Sequence, residues 1–155
     1  MKQQQPETII KAVIFDLDGT LLDTEALSCR AVIDSFAAVG LAIPSDVLAV
    51  LEADGFLLPW DLKRRILGMR GAEWVPIVLT YAEERWGISQ SDDRLHPSSV
   101  TAFWGAWEKR LNELCTEARA CNGAPELVAG LQASGFPLAI ATSSRAAAVQ
   151  KKRSK

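Results

Sequence analysis

The chain has 155 residues, 48% hydrophobic and 23% charged, which suits one domain or one domain split by an insertion and excludes wholesale disorder. A net charge of −2 supplies no electrostatic reason for a nucleic-acid or acidic-membrane partner. No apolar run reaches the ~20 residues of a membrane span, the start MKQQQPET lacks a signal-peptide core, and Cys29, Cys115 and Cys121 fit no C-x-x-C spacing, so a reduced, cytoplasmic protein is expected.

Residues 9–15, IIKAVIF, are rich in β-branched and aromatic side chains and predict a buried parallel strand covered on both faces. From Thr24 to Val39 the residues Leu27, Ala31, Val32, Phe36 and Val39 recur at helical spacing, and Gly40 is a natural stop. Pro44-Ser45-Asp46 opens a second helix with Ser45 as its expected cap. The stretches LPWD (58–61) and GMRG (68–71) read as turns around a short helix. A longer helix is expected from Ala72 to Trp86, with Pro76 near its first turn.

A polar loop holds the single histidine, His96, which has no ligand partners nearby in sequence. Ser98-Ser99 then predicts the cap of a long helix through Ala120, with Phe103, Trp107, Leu111 and Leu114 on one stripe. Asn122-Gly123-Ala124-Pro125 breaks the chain, and a helix over Pro125–Ser134 ends at Gly135. Phe136 to Ala141 is a second apolar strand, after which Thr142-Ser143-Ser144-Arg145 starts a final helix. Lys151, Lys152, Arg153 and Lys155 read as a solvated face of that helix, a targeting or nucleic-acid tail being the alternative.

Strand, helical block, helix, strand and helix start make an α/β fold: a βαβ unit with an insertion after its first strand. The expected division is a core of residues 1–22 and 122–155 with a helical cap of residues 23–121. Open parallel sheets bind ligands beyond the carboxyl ends of their strands. Asp16 and Thr142 each stand where an apolar run stops, so neighbouring strands would bring both to one crevice.

Two carboxylates two residues apart, beside flexible Gly19, suit phosphoryl transfer. Asp16 can attack phosphorus and hold the phosphoryl group covalently. Asp18 can protonate the leaving alkoxide and later activate water. Mg²⁺ favours such hard oxygen ligands and would screen Asp16 from a phosphate dianion. Thr142 and the backbone N–H groups around Ser143 and Ser144 can hold phosphate oxygens. A calcium loop, the rival reading, needs glycine sixth and glutamate twelfth; Leu21 and Leu27 stand there instead.

FDLDGTLLDTE (15–25) resembles the first signature of the haloacid dehalogenase superfamily, in its phosphatase and phosphomutase branch, and LAIATSSR (138–145) resembles its second motif. NGAPELVAGLQASGFPLAIATSSR (122–145) is similar to the segment leading back from the cap in small-metabolite phosphatases of the pseudouridine-5′-phosphatase and glycerol-phosphatase group. The resemblance implies a Rossmann-like core with an inserted α-helical cap. It also implies Mg²⁺-dependent hydrolysis of a small phosphorylated metabolite through an aspartyl-phosphate. Asp16 is then nucleophile and metal ligand, and Asp18 is acid–base and metal ligand through its backbone carbonyl. Thr142, with Gly19 and Ser143, binds phosphate, while Ser144, Arg145 and Arg70 are candidate substrate contacts. A proton donor at Asp18 favours phosphate esters over carbon–halogen bonds.

A sugar-phosphate mutase is the enzymatic alternative, and a non-catalytic remnant acting by association is the other. The family pattern also implies a later lysine and a later acidic group, yet the last acidic residue is Glu126. Two strands are few for a doubly wound sheet. The expectation is therefore an incomplete core, inactive alone, whose bare strand edges invite self-association.

Overall fold

The computed structural model describes residues 9–88 and 97–153, so His96 lies outside the described residues. In chain order the elements are strands β1 (Val13–Phe15) and β2 (Leu22–Asp23), then helices α1 (Glu25–Ala38), α2 (Ser45–Ala53), α3 (Trp60–Ile66), α4 (Gly71–Trp86) and α5 (Pro97–Leu114). A 3₁₀ turn (Cys115–Glu117), strand β3 (Arg119–Ala120), helix α6 (Ala124–Ala133), strand β4 (Leu138–Ile140) and helix α7 (Ala146–Arg153) follow.

β1 and β4 pair in parallel, with Val13 opposite Leu138 and Phe15 opposite Ile140. Parallel neighbours need a long crossover, and here the crossover carries every element from β2 to α6. At its near end β2 and β3 pair antiparallel, Leu22 opposite Ala120 and Asp23 opposite Arg119. The outgoing and returning chains are thus tied to each other beside β1. α6 ends in a Schellman motif: Phe136 N–H donates to the Leu131 carbonyl and Gly135 N–H to that of Gln132, with Gly135 at φ +78°. That left-handed residue turns the chain directly into β4.

The hydrophobic core lies among the cap helices. Phe36 of α1 and Phe103 of α5 are fully buried and meet edge to face, centroids 5.0 Å apart. Trp86 stands 5.7 Å from Phe36, and Trp74 stands 6.3 Å from Phe103. Around them pack Leu62, Val75, Val78, Leu79 and Ala82. Across the bundle Arg110 donates to Asp34 at 2.6 Å, pinning α5 to α1, and Tyr81 donates its hydroxyl hydrogen to Asp61.

Several elements depart from the sequence expectations. α5 stops at Leu114 rather than Ala120, because Arg119–Ala120 joins the β2 ladder and Cys121 N–H donates to Leu21. β1 spans only Val13–Phe15, leaving Ile9 and Ile10 exposed. Nor is that strand covered on both faces: Ile14 is 68% exposed and Ile140 55%, since the described sheet has two strands and a bare side. Ser45 lies inside α2, with Pro44 in the cap position. Pro76 falls in the second turn of α4 and the helix continues through it. Burial of Trp74, Val75, Val78 and Leu79 on that helix outweighs the lost hydrogen bond. Among the described residues, no helix is long and apolar enough to cross a membrane.

Candidate active site

Asp16 follows the last residue of β1, and Ala141 N–H donates to the Phe15 carbonyl at 2.8 Å. The parallel register therefore delivers Asp16 and Thr142 to the same end of the two-stranded sheet. Asp16 is exposed, and one of its carboxylate oxygens accepts the Leu17 N–H at 2.7 Å. The chain then closes a tight loop: Leu22 N–H donates to the Leu17 carbonyl and Gly19 N–H to the Leu22 carbonyl. Gly19 takes φ +73°, a conformation that side chains resist. Buried Leu17 anchors that loop, so Asp16 and Asp18 project from a fixed turn.

Asp18 is the centre of a network. Ser144 donates its hydroxyl hydrogen to Asp18 Oδ2 at 2.6 Å, and the Lys152 ammonium donates to Oδ1 at 2.5 Å. Lys152 also reaches Ser144 Oγ at 3.2 Å, and Ser144 N–H donates to Thr142 Oγ1 at 3.1 Å. Thr142 accepts that bond through its oxygen and keeps its hydroxyl hydrogen for another acceptor. Partial burial pushes the Asp18 carboxyl up. Hydrogen bonds from Lys152, Ser144 and Thr24, with the charge of Lys152, outweigh that and hold it below the ordinary carboxylate value.

A second group lies apart from this network. Arg70, Gly71, Ala72, Val100, Thr101 and Trp104 of the cap helices, with Ser143 and Arg145 after β4, line a cleft of about 650 Å³. Arg145 Nη2 approaches Glu108 Oε1 of α5 at 3.1 Å, an ion pair between the post-β4 loop and the cap. Of the sequence candidates, Asp18, Thr142 and Ser144 are thus joined directly, while Arg70, Ser143 and Arg145 share the cleft. Ser144 turns to Asp18 and not into that cleft.

The residues that sequence reasoning passed over are Lys152, Thr24, Trp104 and Glu108. The basic run predicts a solvated face for Lys152, yet its side chain is 6% exposed. Ser144 precedes α7, so helical spacing does not link the two; the docking of α7 brings Lys152 to Ser144 and Asp18. Among the described residues, no three His, Cys, Asp or Glu side chains form a metal-holding group. The exposed Asp16 carboxylate and the Asp18 backbone carbonyl are nonetheless hard oxygen donors, a set that fits a cation keeping most of its water.

Comparison with known proteins follows the same lines. The chain is 30% identical over 134 residues to the phosphorylated carbohydrates phosphatase of Thermotoga maritima, covering 86% of this chain and 50% of that protein. It is similar in structure to a putative β-phosphoglucomutase from Thermotoga maritima, with a TM-score of 0.56 and 25% identity over 93% of this chain and 55% of the other. CbbY from Rhodobacter sphaeroides in complex with phosphate gives a TM-score of 0.55 and 23% identity over 93% of this chain and 56% of that one, a likeness of fold. The chain spans about half the length of the relatives it matches. Residues 10–154 match the family of haloacid dehalogenase-like hydrolases, and the chain belongs to that family, with the Rossmann-like core and helical cap that its neighbours share.

Proposed function

We propose that the protein formed around this site is a Mg²⁺-dependent phosphatase acting on a small phosphorylated metabolite of the carbohydrate class, with Asp16 as nucleophile. One observation carries the reading. Asp16 and Thr142 end neighbouring parallel strands, with the Asp18–Ser144 hydrogen bond joining the two loops beyond them.

An Asp16 carboxylate oxygen attacks phosphorus, and the bond from phosphorus to the ester oxygen breaks. The departing alkoxide takes its proton from Asp18, leaving an aspartyl-phosphate on Asp16. Water then attacks that phosphorus and gives a proton to the Asp18 carboxylate, so inorganic phosphate leaves and Asp16 is restored. The contacts from Lys152 and Ser144 favour ionised Asp18, the form needed for this second step; the proton that Asp18 takes from water there is the one it gives to the leaving alkoxide in the next turnover. Thr142, with its free hydroxyl hydrogen, holds a phosphate oxygen. Mg²⁺, held by the Asp16 carboxylate and the Asp18 carbonyl, would screen the repulsion between Asp16 and the phosphate dianion.

The cleft bordered by Arg70, Ser143 and Arg145 suits the rest of the substrate, because the Arg70 guanidinium and the Ser143 hydroxyl favour an anionic or hydroxyl-rich molecule, while Arg145 is paired with Glu108. Free Cys29, Cys115 and Cys121 support a reducing, cytoplasmic setting. The division into a core of residues 1–22 and 122–155 and a cap of 23–121 belongs to the same reading, supported by the β2–β3 pairing at the junction. The test is release of phosphate from a generic aryl phosphate with and without Mg²⁺. Asp16→Asn should abolish it with the fold intact, and turnover unchanged in that variant would end the proposal. Product analysis with a sugar phosphate separates hydrolysis from isomerisation by a mutase.

A further inference from the structure

A lysine carried on a helix that begins just after the phosphate-binding loop has its side chain almost wholly withdrawn from water. Burying an ammonium is costly unless it is paired and hydrogen-bonded. Among the described residues, Lys152 meets both conditions through two residues of the site: Asp18 Oδ1 at 2.5 Å and Ser144 Oγ at 3.2 Å. Ser144 in turn spans to Asp18 Oδ2 at 2.6 Å. The three groups form a closed triangle in which each carboxylate oxygen of Asp18 has its own donor. A carboxylate gripped at both oxygens cannot rotate about its terminal torsion, which is otherwise broad for aspartate.

The surroundings preserve this arrangement. The 3₁₀ turn Cys115–Glu117 packs against α7, and buried Cys115 faces the pair: burial raises its thiol, while the charges of Lys152 and Asp18 act on it in opposite directions.

We infer that Lys152 is a positioning residue for Asp18, fixing the orientation of the carboxylate that handles the proton; this rests on the phosphatase reading above. Lys152 acts through Asp18 and not on the substrate, so its loss should lower kcat and leave KM nearly unchanged. A displacement on the order of 1 Å in a proton-handling group costs about 100-fold in rate. Lys152→Met should therefore lower kcat about 10- to 100-fold, and Lys152→Arg, which keeps a charged donor, should recover part of it. Lys109→Met, an exposed cap substitution removing the same charge, should leave both constants as they are.

A second readout needs no turnover. A buried, hydrogen-bonded ammonium exchanges its protons slowly, so ¹⁵N-labelled protein should show a protected lysine Nζ–H signal near neutral pH. That signal should vanish in Lys152→Met and broaden away in Asp18→Asn. Absence of any such signal in the wild type, or its persistence in Asp18→Asn, would overturn the inference whatever the activity. A rise in KM with kcat unchanged in Lys152→Met would also overturn it, by showing that the lysine binds substrate. Failure of the phosphatase reading shows separately, as turnover that survives Asp16→Asn.

Discussion

At position 71 helix propensity and packing pull in opposite directions. Gly71 is the first residue of α4, and replacing a helical glycine with alanine stabilises an open site by about 0.5–1 kcal/mol. A Cβ on Gly71, however, would fall 1.4 Å from Cε3 and 1.7 Å from Cζ3 of Trp104. Trp104 sits in an aromatic group, its ring 6.1 Å from that of Trp74 and 5.2 Å from that of Trp107, so displacing it disturbs three indoles. Overpacking of this kind costs about 1–3 kcal/mol, and the propensity gain is smallest at a helix's first residue. Gly71→Ala should therefore destabilise by about 1–2 kcal/mol net. Gly105→Ala, in the middle of α5, is the counterpart, because its Cβ would meet nothing within 4 Å. It should stabilise by about 0.5–1 kcal/mol. Urea unfolding followed by near-ultraviolet circular dichroism reads both midpoints and reports the indole environment. The two variants should shift in opposite directions; an upward shift for Gly71→Ala would refute the placement of Trp104 against α4.

The remaining predictions concern the core, a surface ion pair and pH. Phe36→Ala removes a fully buried ring and its contacts with Phe103 and Trp86, and should cost about 3–5 kcal/mol by urea unfolding. Asp34→Asn breaks the half-exposed Arg110 pair and should cost no more than about 1 kcal/mol, less in high salt; comparing unfolding at low and high ionic strength checks this. Asp18 is held below its unfolded pKa, so its contribution to stability is present above the unfolded value and is lost as pH falls through the folded one. The stability gap between wild type and Lys152→Met should accordingly be widest near neutral pH and close on acidification, as measured by unfolding at a series of pH values.

The legible parts of this fold were those written contiguously. FDLDG announces a strand end and a turn within five residues, and the stripe through Leu27, Val32 and Phe36 is long enough to show helical period. The two-residue strands β2 and β3 carry no period, and their pairing joins positions almost a hundred residues apart, so the end of α5 was misplaced with them. Exposure of Ile14 was hidden because an apolar strand reads the same whether or not its neighbours are present. Lys152 was hidden for a related reason. In a basic run a lysine looks solvated until the docking of its helix is known, and that docking depends on the turn at Cys115.

Covalent chemistry at Asp16 is the central step of the proposed reaction. The measurement is an acid quench of the protein during turnover of a phosphate ester with Mg²⁺ present, followed by peptide mass analysis. The peptide containing Asp16 should be found heavier by one phosphoryl group on that residue, and Asp16→Asn should carry none. Steady release of phosphate with the Asp16 peptide never modified, or with the phosphoryl group on another residue, would contradict it.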